Sequence, residues 1–321
     1  MKAKDYLYCT ALAAIVVLLA LAAAFFGSVD ISHMTDSDKY ILYNIRIPRV
    51  LMCMIAGSTL AVCGCAYQAI FRNPLSDPYI LGVSSGASLG ASLAIVFGLD
   101  MIVLGVTFIA FVTALLTVFI IMKLAQAGNR MHTTTLLLAG ISMNFLISAV
   151  ISIIMFVDQE DMHKIYFWTM GSLGGVKYSD VLITFCFSLA GISIIRIYAK
   201  RLNILLLGDL QASSLGIDVE RTKKFILIVS TLMTAAVVSC TGVIGFVGLV
   251  VPHIVRLLVG GDNRRIIPYS IFGGMIFMLA ADIAARNAAA PAELPIGSIT
   301  SLVGAPFFIY LLYNAKKKLH F

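Results

Sequence analysis

The chain has 321 residues, 60% of them hydrophobic and 12% charged, with a formal net charge of +7. The apolar residues come in runs of about 20, the length of a helix that crosses the hydrocarbon core, which excludes a soluble enzyme and describes a polytopic membrane protein with short connections. The surplus of Lys and Arg lies in those connections, where it sets orientation across a bilayer rather than affinity for nucleic acid.

Ten spans are predicted, at roughly 6–27, 50–71, 79–97, 101–122, 134–157, 181–199, 225–241, 244–259, 267–286 and 297–314. The first lies in MKAKDYLYCTALAAIVVLLALAAAFFGS, which has basic residues ahead of an apolar core, as a signal peptide does. Its apolar run of about 20 residues exceeds a signal core, so it reads as a retained span. Before the second span comes NIRIPRV, 44–50, with Arg46 and Arg49 on either side of Pro48. The proline suits the first turn of a helix, where a missing N–H does no harm, and so predicts the start of the second span. After that span, FRNPLSDPYILGVSSGASLG predicts a tight re-entry. Pro74 pushes Asn73 out of helical geometry. Asp77 then caps a helix with Pro78 at its first position, and Gly82, Gly86 and Gly90 form a small-residue ridge for close helix packing.

The fifth span opens HTTTLLLAGISMNFLISAVIS and carries Thr135, Ala139, Ser142, Ala149 and Ser152 near one face, with Asn144 polar at mid-span. Such residues line a pathway or pack helices. The loop after the sixth span, RIYAKRLNILLLGDLQASSLGIDVERTKKF, is the longest on its side. There Asp209 after Gly208 is expected to cap a short helix that Gly216 ends, and Asp218 to cap the seventh span. That short helix is either a partner surface or part of a solvated linker. The stretch SCTGVIGFVGLVVPHIVRLLVGG is Gly-interrupted and reads as one broken helix or two short ones. In the ninth span Asp282 and Arg286, one turn apart, can pair.

With both termini on one side, that side holds 17 of the 23 Lys and Arg residues and the other side six. The positive-inside rule therefore places both termini in the cytoplasm. Arg46 and Arg49 are exceptions that face outward, among Asp30, Asp36 and Asp38. They read as anchors at a helix start, meeting headgroups or local carboxylates, whereas Arg286 on the same side reads as the structural ion pair with Asp282.

Several chemistries have no support. Gly82-Val83-Ser84-Ser85-Gly86 matches G-x-S-x-G in letters. It lies inside a span without the strand and turn a nucleophile elbow needs, and its nearest His, His253, is on a distant segment. No catalytic residue and no metal site is assigned. The six cysteines lie in or beside apolar runs with no CxxC, as packing residues do. There is no G-x-x-x-x-G-K-[ST], so any ATP hydrolysis belongs to another chain. A proton- or sodium-driven secondary transporter is the alternative class, and the unpaired midplane carboxylates it typically uses are missing.

The blocks RIPRVLMCMIAGSTLAVCGCAYQAIFRNPLSDPYILGVSSGASLG, GVIGFVGLVVPHIVRLLVGGDNRR, ADIAAR and AELPIGSITSLVGAPFFIYLL, in this order, resemble the ABC-transporter permeases that import iron-siderophores, haem and vitamin B12. The resemblance runs from about residue 40 to the end. It implies an all-α, type II importer permease fold, with residues 1–321 as one transmembrane permease domain. It also implies a homodimer in the cytoplasmic membrane of a prokaryote, a substrate-binding protein outside, and two ATPase subunits inside that hold the ATP and Mg. This chain itself then holds no cofactor. By the same resemblance Arg46, Arg49 and Arg286 dock carboxylates of the binding protein. Asn73, Leu75, Thr133 and Thr134 lie near the cytoplasmic gate, with Ser142 and Asn144 along the pathway, and Gly208, Asp209, Gln211, Ser214 and Gly216 couple to the ATPase.

Overall fold

The computed structural model describes residues 3–26, 35–102, 105–127 and 130–319. These residues form helices throughout, apart from a two-residue antiparallel pair, Gln126–Ala127 with Arg130–Met131. In chain order the helices are α1 (Ala3–Phe25), α2 (Asp36–Ile41), α3 (Ile47–Ile70), α4 (Val83–Val96), α5 (Gly105–Leu124), α6 (Thr133–Val157) and α7 (Met162–Thr169). They continue as α8 (Tyr178–Ile197), α9 (Ala199–Leu205), α10 (Asp209–Ser214), α11 (Val219–Thr241), α12 (Val247–Val259), α13 (Asn263–Asn287) and α14 (Ile296–Leu319). Among the described residues seven helical segments are long and apolar enough to cross a membrane. The shorter apolar helices α4, α12 and the apolar part of α14 bring the spans to the ten that the sequence predicts.

Helix α3 is the axis of the bundle, packed against α13, α12, α8 and α11. Glycines make that possible. A β-carbon on Gly57 would collide with the Gly274 carbonyl of α13, and one on Gly64 with Gly248 of α12. Backbones this close gain dispersion contact where lipid provides no hydrophobic drive. Hydroxyls and amides add links: Thr59 donates to Ser188 Oγ at 2.7 Å, and Gln68 Nε2 donates to the Leu249 carbonyl at 3.2 Å. The ridge on α4 packs as expected, with Gly86 and Gly90 against Thr113 and Thr117 of α5. Helix α1 packs against α13.

Three local expectations are revised. The helix before Pro48 does not begin there. It starts at Asp36, capped by Thr35 and Asp38, and passes through a π-helical segment, Leu42–Arg46, into α3. The wider π-turn absorbs the hydrogen bond that proline cannot make. Next, Asp77 caps a short 3-10 turn, Pro78–Leu81, rather than the span itself. Gly82, at φ 75°, then breaks the turn from α4. Finally, the Gly-interrupted stretch resolves into two helices, α11 and α12. Gly242 and Phe246, both at positive φ, reverse the chain between them.

Candidate functional site

Three groups of residues occupy the two ends of the bundle. At the end where α1 finishes and α13 finishes, the helices bring Arg46, Arg49 and Arg286 together. Sequence reasoning places these guanidiniums outward, yet each is at most 5% exposed. Arg49 donates through Nε to Asp282 Oδ1 at 2.7 Å and through Nη1 to Glu293 Oε2 at 2.6 Å. Arg286 lies 3.0 Å from the second oxygen of Asp282. Arg46 donates to the carbonyls of Ala24 and Phe25, and Arg286 to those of Ala23 and Phe26.

Four consecutive carbonyls at the C-terminal end of α1 are thus satisfied by arginine. A helix leaves such groups unpaired and partially negative at that end, so guanidinium N–H groups suit them in charge and in hydrogen bonding. Two of the three expected carboxylate neighbours serve their own helix. Asp36 pairs with Lys39, Asp38 caps α2, and Asp30 lies outside the described residues. The pairing of Asp282 with Arg286 is present as expected, and Arg49 joins it. Sequence reasoning misses Glu293, 40% exposed at its side chain, although it stands in the quoted AELPIGS block.

At the opposite end the chain turns between α3 and α4. Asn73 Oδ1 accepts the Leu75 N–H at 2.9 Å, the local turn its side chain favours before a proline. Asn73 and Leu75 are exposed, as is Thr134 in the first turn of α6, while Thr133 is half-buried there. Along α6, Ser142 is exposed. Asn144 accepts a hydrogen bond from Ser85 of α4 at 2.6 Å, which ties α6 to the helix after the turn. Ser84 of the hydrolase-like letters sits within α4.

Helix α10 lies at this same end. It begins after Gly208 at φ 115°, and its last carbonyls are closed by a Schellman turn at Gly216, φ 81°, with Ile217 N–H on the Ala212 carbonyl at 3.1 Å. Asp209 is not the expected cap; Gly208 holds that position. The Asp209 carboxylate instead accepts from Lys223 Nζ of α11 at 2.7 Å and lies 3.8 Å from Arg72 at the end of α3. Lys223 is 2% exposed, so its ammonium is buried against that carboxylate. Gln211 and Ser214 are exposed, with Leu210 and Leu215 presenting apolar surface beside them. Sequence reasoning counts Lys223 and Arg72 only as orientation charges; their spacing from Asp209 gives no local signal.

No group of three or more His, Cys, Asp or Glu able to hold a metal is found among the described residues. The FecCD transport family matches residues 9–314. The cobalamin import system permease protein BtuC of Halobacterium salinarum is 42% identical over 277 residues, 86% of this chain and 74% of that protein. The hemin transport system permease protein HmuU of Yersinia pestis is 38% identical over 316 residues, 95% of this chain and 94% of that protein. A solved inward-facing structure of a metal-chelate type ABC transporter matches with a TM-score of 0.86 at 30% identity, covering 96% of this chain and 99% of that one.

Proposed function

Because the chain belongs to the FecCD transport family, we propose that it is the homodimeric membrane subunit of an importer that takes an iron-siderophore from a binding protein, with haem and corrinoid chelates the next choices. The end bearing α10 then faces the cytoplasm and a pair of ATPase subunits, in agreement with the charge asymmetry of the loops. The arginine end faces the binding protein outside. No cofactor is assigned to this chain; ATP and Mg belong to the partner.

The single observation that carries this reading is the ion-paired link from α10 to the gate turn. Asp209, the first residue of α10, sits between buried Lys223 and Arg72, and Arg72 adjoins Asn73. A push on α10 then reaches the α3–α4 turn through the half-exposed Asp209–Arg72 pair, with the buried Lys223 holding Asp209 from the other side. The exposed small and polar face of α6 supports a pathway there, lined by two copies of the chain.

The outer cluster supports docking in a different manner from freely exposed arginines. Arg49 sits between the buried Asp282 and the half-exposed Glu293, which covers it on the outer side. An incoming carboxylate competes with the half-exposed Glu293 for a charge-assisted hydrogen bond to that arginine. Glu293→Gln is expected to strengthen association with the binding protein. Unchanged or weaker binding in a surface assay at low and high salt removes Arg49 from the docking contact.

The whole reading is tested by reconstituting the chain with its ATPase and binding protein in liposomes. Uptake of ferric siderophore, haem and cobalamin is compared, with ATP supplied on the ATPase side. Uptake that requires ATP and is abolished in Asp209→Ala is expected. Uptake driven by a proton gradient in the absence of the ATPase instead supports a secondary transporter.

A further inference from the structure

Between α5 and α11 the structure holds a cavity of about 820 Å³, open to the side of the bundle and separate from the arginine cluster and the gate turn. Its walls are one face of each helix. On α5, Leu115, Val118, Phe119, Met122 and Lys123 follow the three- and four-residue spacing that puts side chains on one stripe. On α11 the stripe is Glu220, Lys224, Ile228 and Leu232, again four apart.

The two helices run in opposite directions, yet both stripes order their chemistry alike. Charge stands at the end near α10, and apolar side chains stand towards the middle of the bundle. Leu115 and Lys123 are eight positions apart, as are Lys224 and Leu232. At 1.5 Å per residue, each is about 12 Å long. That is close to the depth of one leaflet, half of a hydrocarbon core of about 30 Å. The rim carries Lys123, Lys224 and Arg221 against Asp218 and Glu220. Arg221 is already paired with Asp218 at 3.2 Å, and Lys123 lies 5.7 Å from the Phe119 ring. Lys224 is exposed on the α11 wall.

We infer that this groove binds one anionic phospholipid of the inner leaflet, its phosphate between Lys123 and Lys224 and an acyl chain along the Leu115, Phe119, Ile228 and Leu232 wall. Charge and depth both select this occupant. A soluble anion leaves the apolar wall uncovered, and a zwitterionic lipid adds a cation beside two lysines. A lysine near a bilayer surface attracts anionic lipid about fivefold. Because α11 carries Lys223, bound by Asp209 of α10, lipid in the groove braces the helix against which α10 is held. The choice of leaflet rests on the orientation proposed above, which a terminal reporter fusion tests on its own; the lipid preference is read without it.

The test is native mass spectrometry of the full-length chain released from nanodiscs of equal phosphatidylglycerol and phosphatidylcholine. Retention of one phosphatidylglycerol per chain is expected. It should fall by about tenfold or more in Lys123→Gln/Lys224→Gln. It should also be lost in Leu232→Trp, which fills the groove and leaves the charges in place; both sets of positions face the cavity, so folding is checked by the unchanged elution of the variants. Equal retention of the two lipids, or retention unaffected by both variants, overturns the inference. So does displacement of the bound species by millimolar inorganic phosphate, which assigns the rim to a free anion. Cysteines at Lys123→Cys and Lys224→Cys that crosslink to a second copy or to the ATPase, with no lipid retained, assign the groove to protein and overturn it as well.

Discussion

At the scale of residues, Asp282 determines what the outer cluster can do. It is fully buried and held by Arg49 on one oxygen and Arg286 on the other. Buried charges are tolerated when each is paired and hydrogen-bonded, and removing one partner is costly because the others remain buried. Asp282→Asn leaves two buried guanidiniums facing a neutral amide and is expected to destabilise the fold by about 3–5 kcal/mol. The readout is the thermal midpoint in detergent, compared with Glu293→Gln, whose half-exposed position should cost far less. Equal midpoints for the two variants remove Asp282 from its structural role. The same geometry explains why arginine rather than lysine stands here: a planar fork can meet a carboxylate and two backbone carbonyls at once.

At the scale of elements, two short helices link spans through local chemistry. Gly216 ends α10 at φ 81° with no atom near the position of a β-carbon. A valine there meets no clash but must adopt a left-handed backbone, which a β-branched residue strongly disfavours. Gly216→Val is therefore expected to weaken ATPase association or uncouple hydrolysis while the chain still inserts; pull-down with the ATPase and membrane fractionation read the two effects separately. Asp262 caps α13 and accepts from Asn203 of the α9 segment at 2.6 Å and from Arg264. The hydrogen bonds from Arg264 hold its carboxyl well below the usual carboxylate range. A depressed carboxylate contributes stability above its unfolded pKa of about 4 and loses it as pH falls further. The wild-type thermal midpoint should thus fall between about pH 4 and pH 3 relative to Asp262→Asn. Parallel curves for the two proteins refute the assignment.

At the scale of the whole molecule, burial is uneven in a way that suits a pathway between two copies. Helices α3 and α11 are enclosed, whereas α6 and α14 present Phe145, Leu146, Leu302 and Tyr310 outward. In the proposed dimer, with its axis along α6, Asn73 and Thr133 are expected to approach their counterparts at the end bearing α10. Cysteines introduced at Asn73 and Thr133 are expected to crosslink between subunits of the assembled transporter, with a yield that changes with nucleotide. No crosslink in any nucleotide state places the pathway elsewhere.

The sequence by itself determined where the long apolar helices lie, which residues cap α11 and the turn at Pro78, and where glycine ends α10. Those features depend on apolar run length and on bonds between residues at most a few positions apart, so they are legible without a fold. The small-residue ridge on α4 was readable for the same reason. What lies opposite it, the threonines of α5, was not. Only the tertiary structure decided that Arg49 meets Asp282 and Glu293, 233 and 244 positions away, and that Arg46 and Arg286 close the end of α1. It also decided that Asp209 serves Lys223 and Arg72 instead of capping its own helix. A charge in a membrane protein takes whichever opposite charge or carbonyl the crossing of helices brings within reach, and that crossing is set by glycine contacts such as Gly57 with Gly274, which no local pattern records.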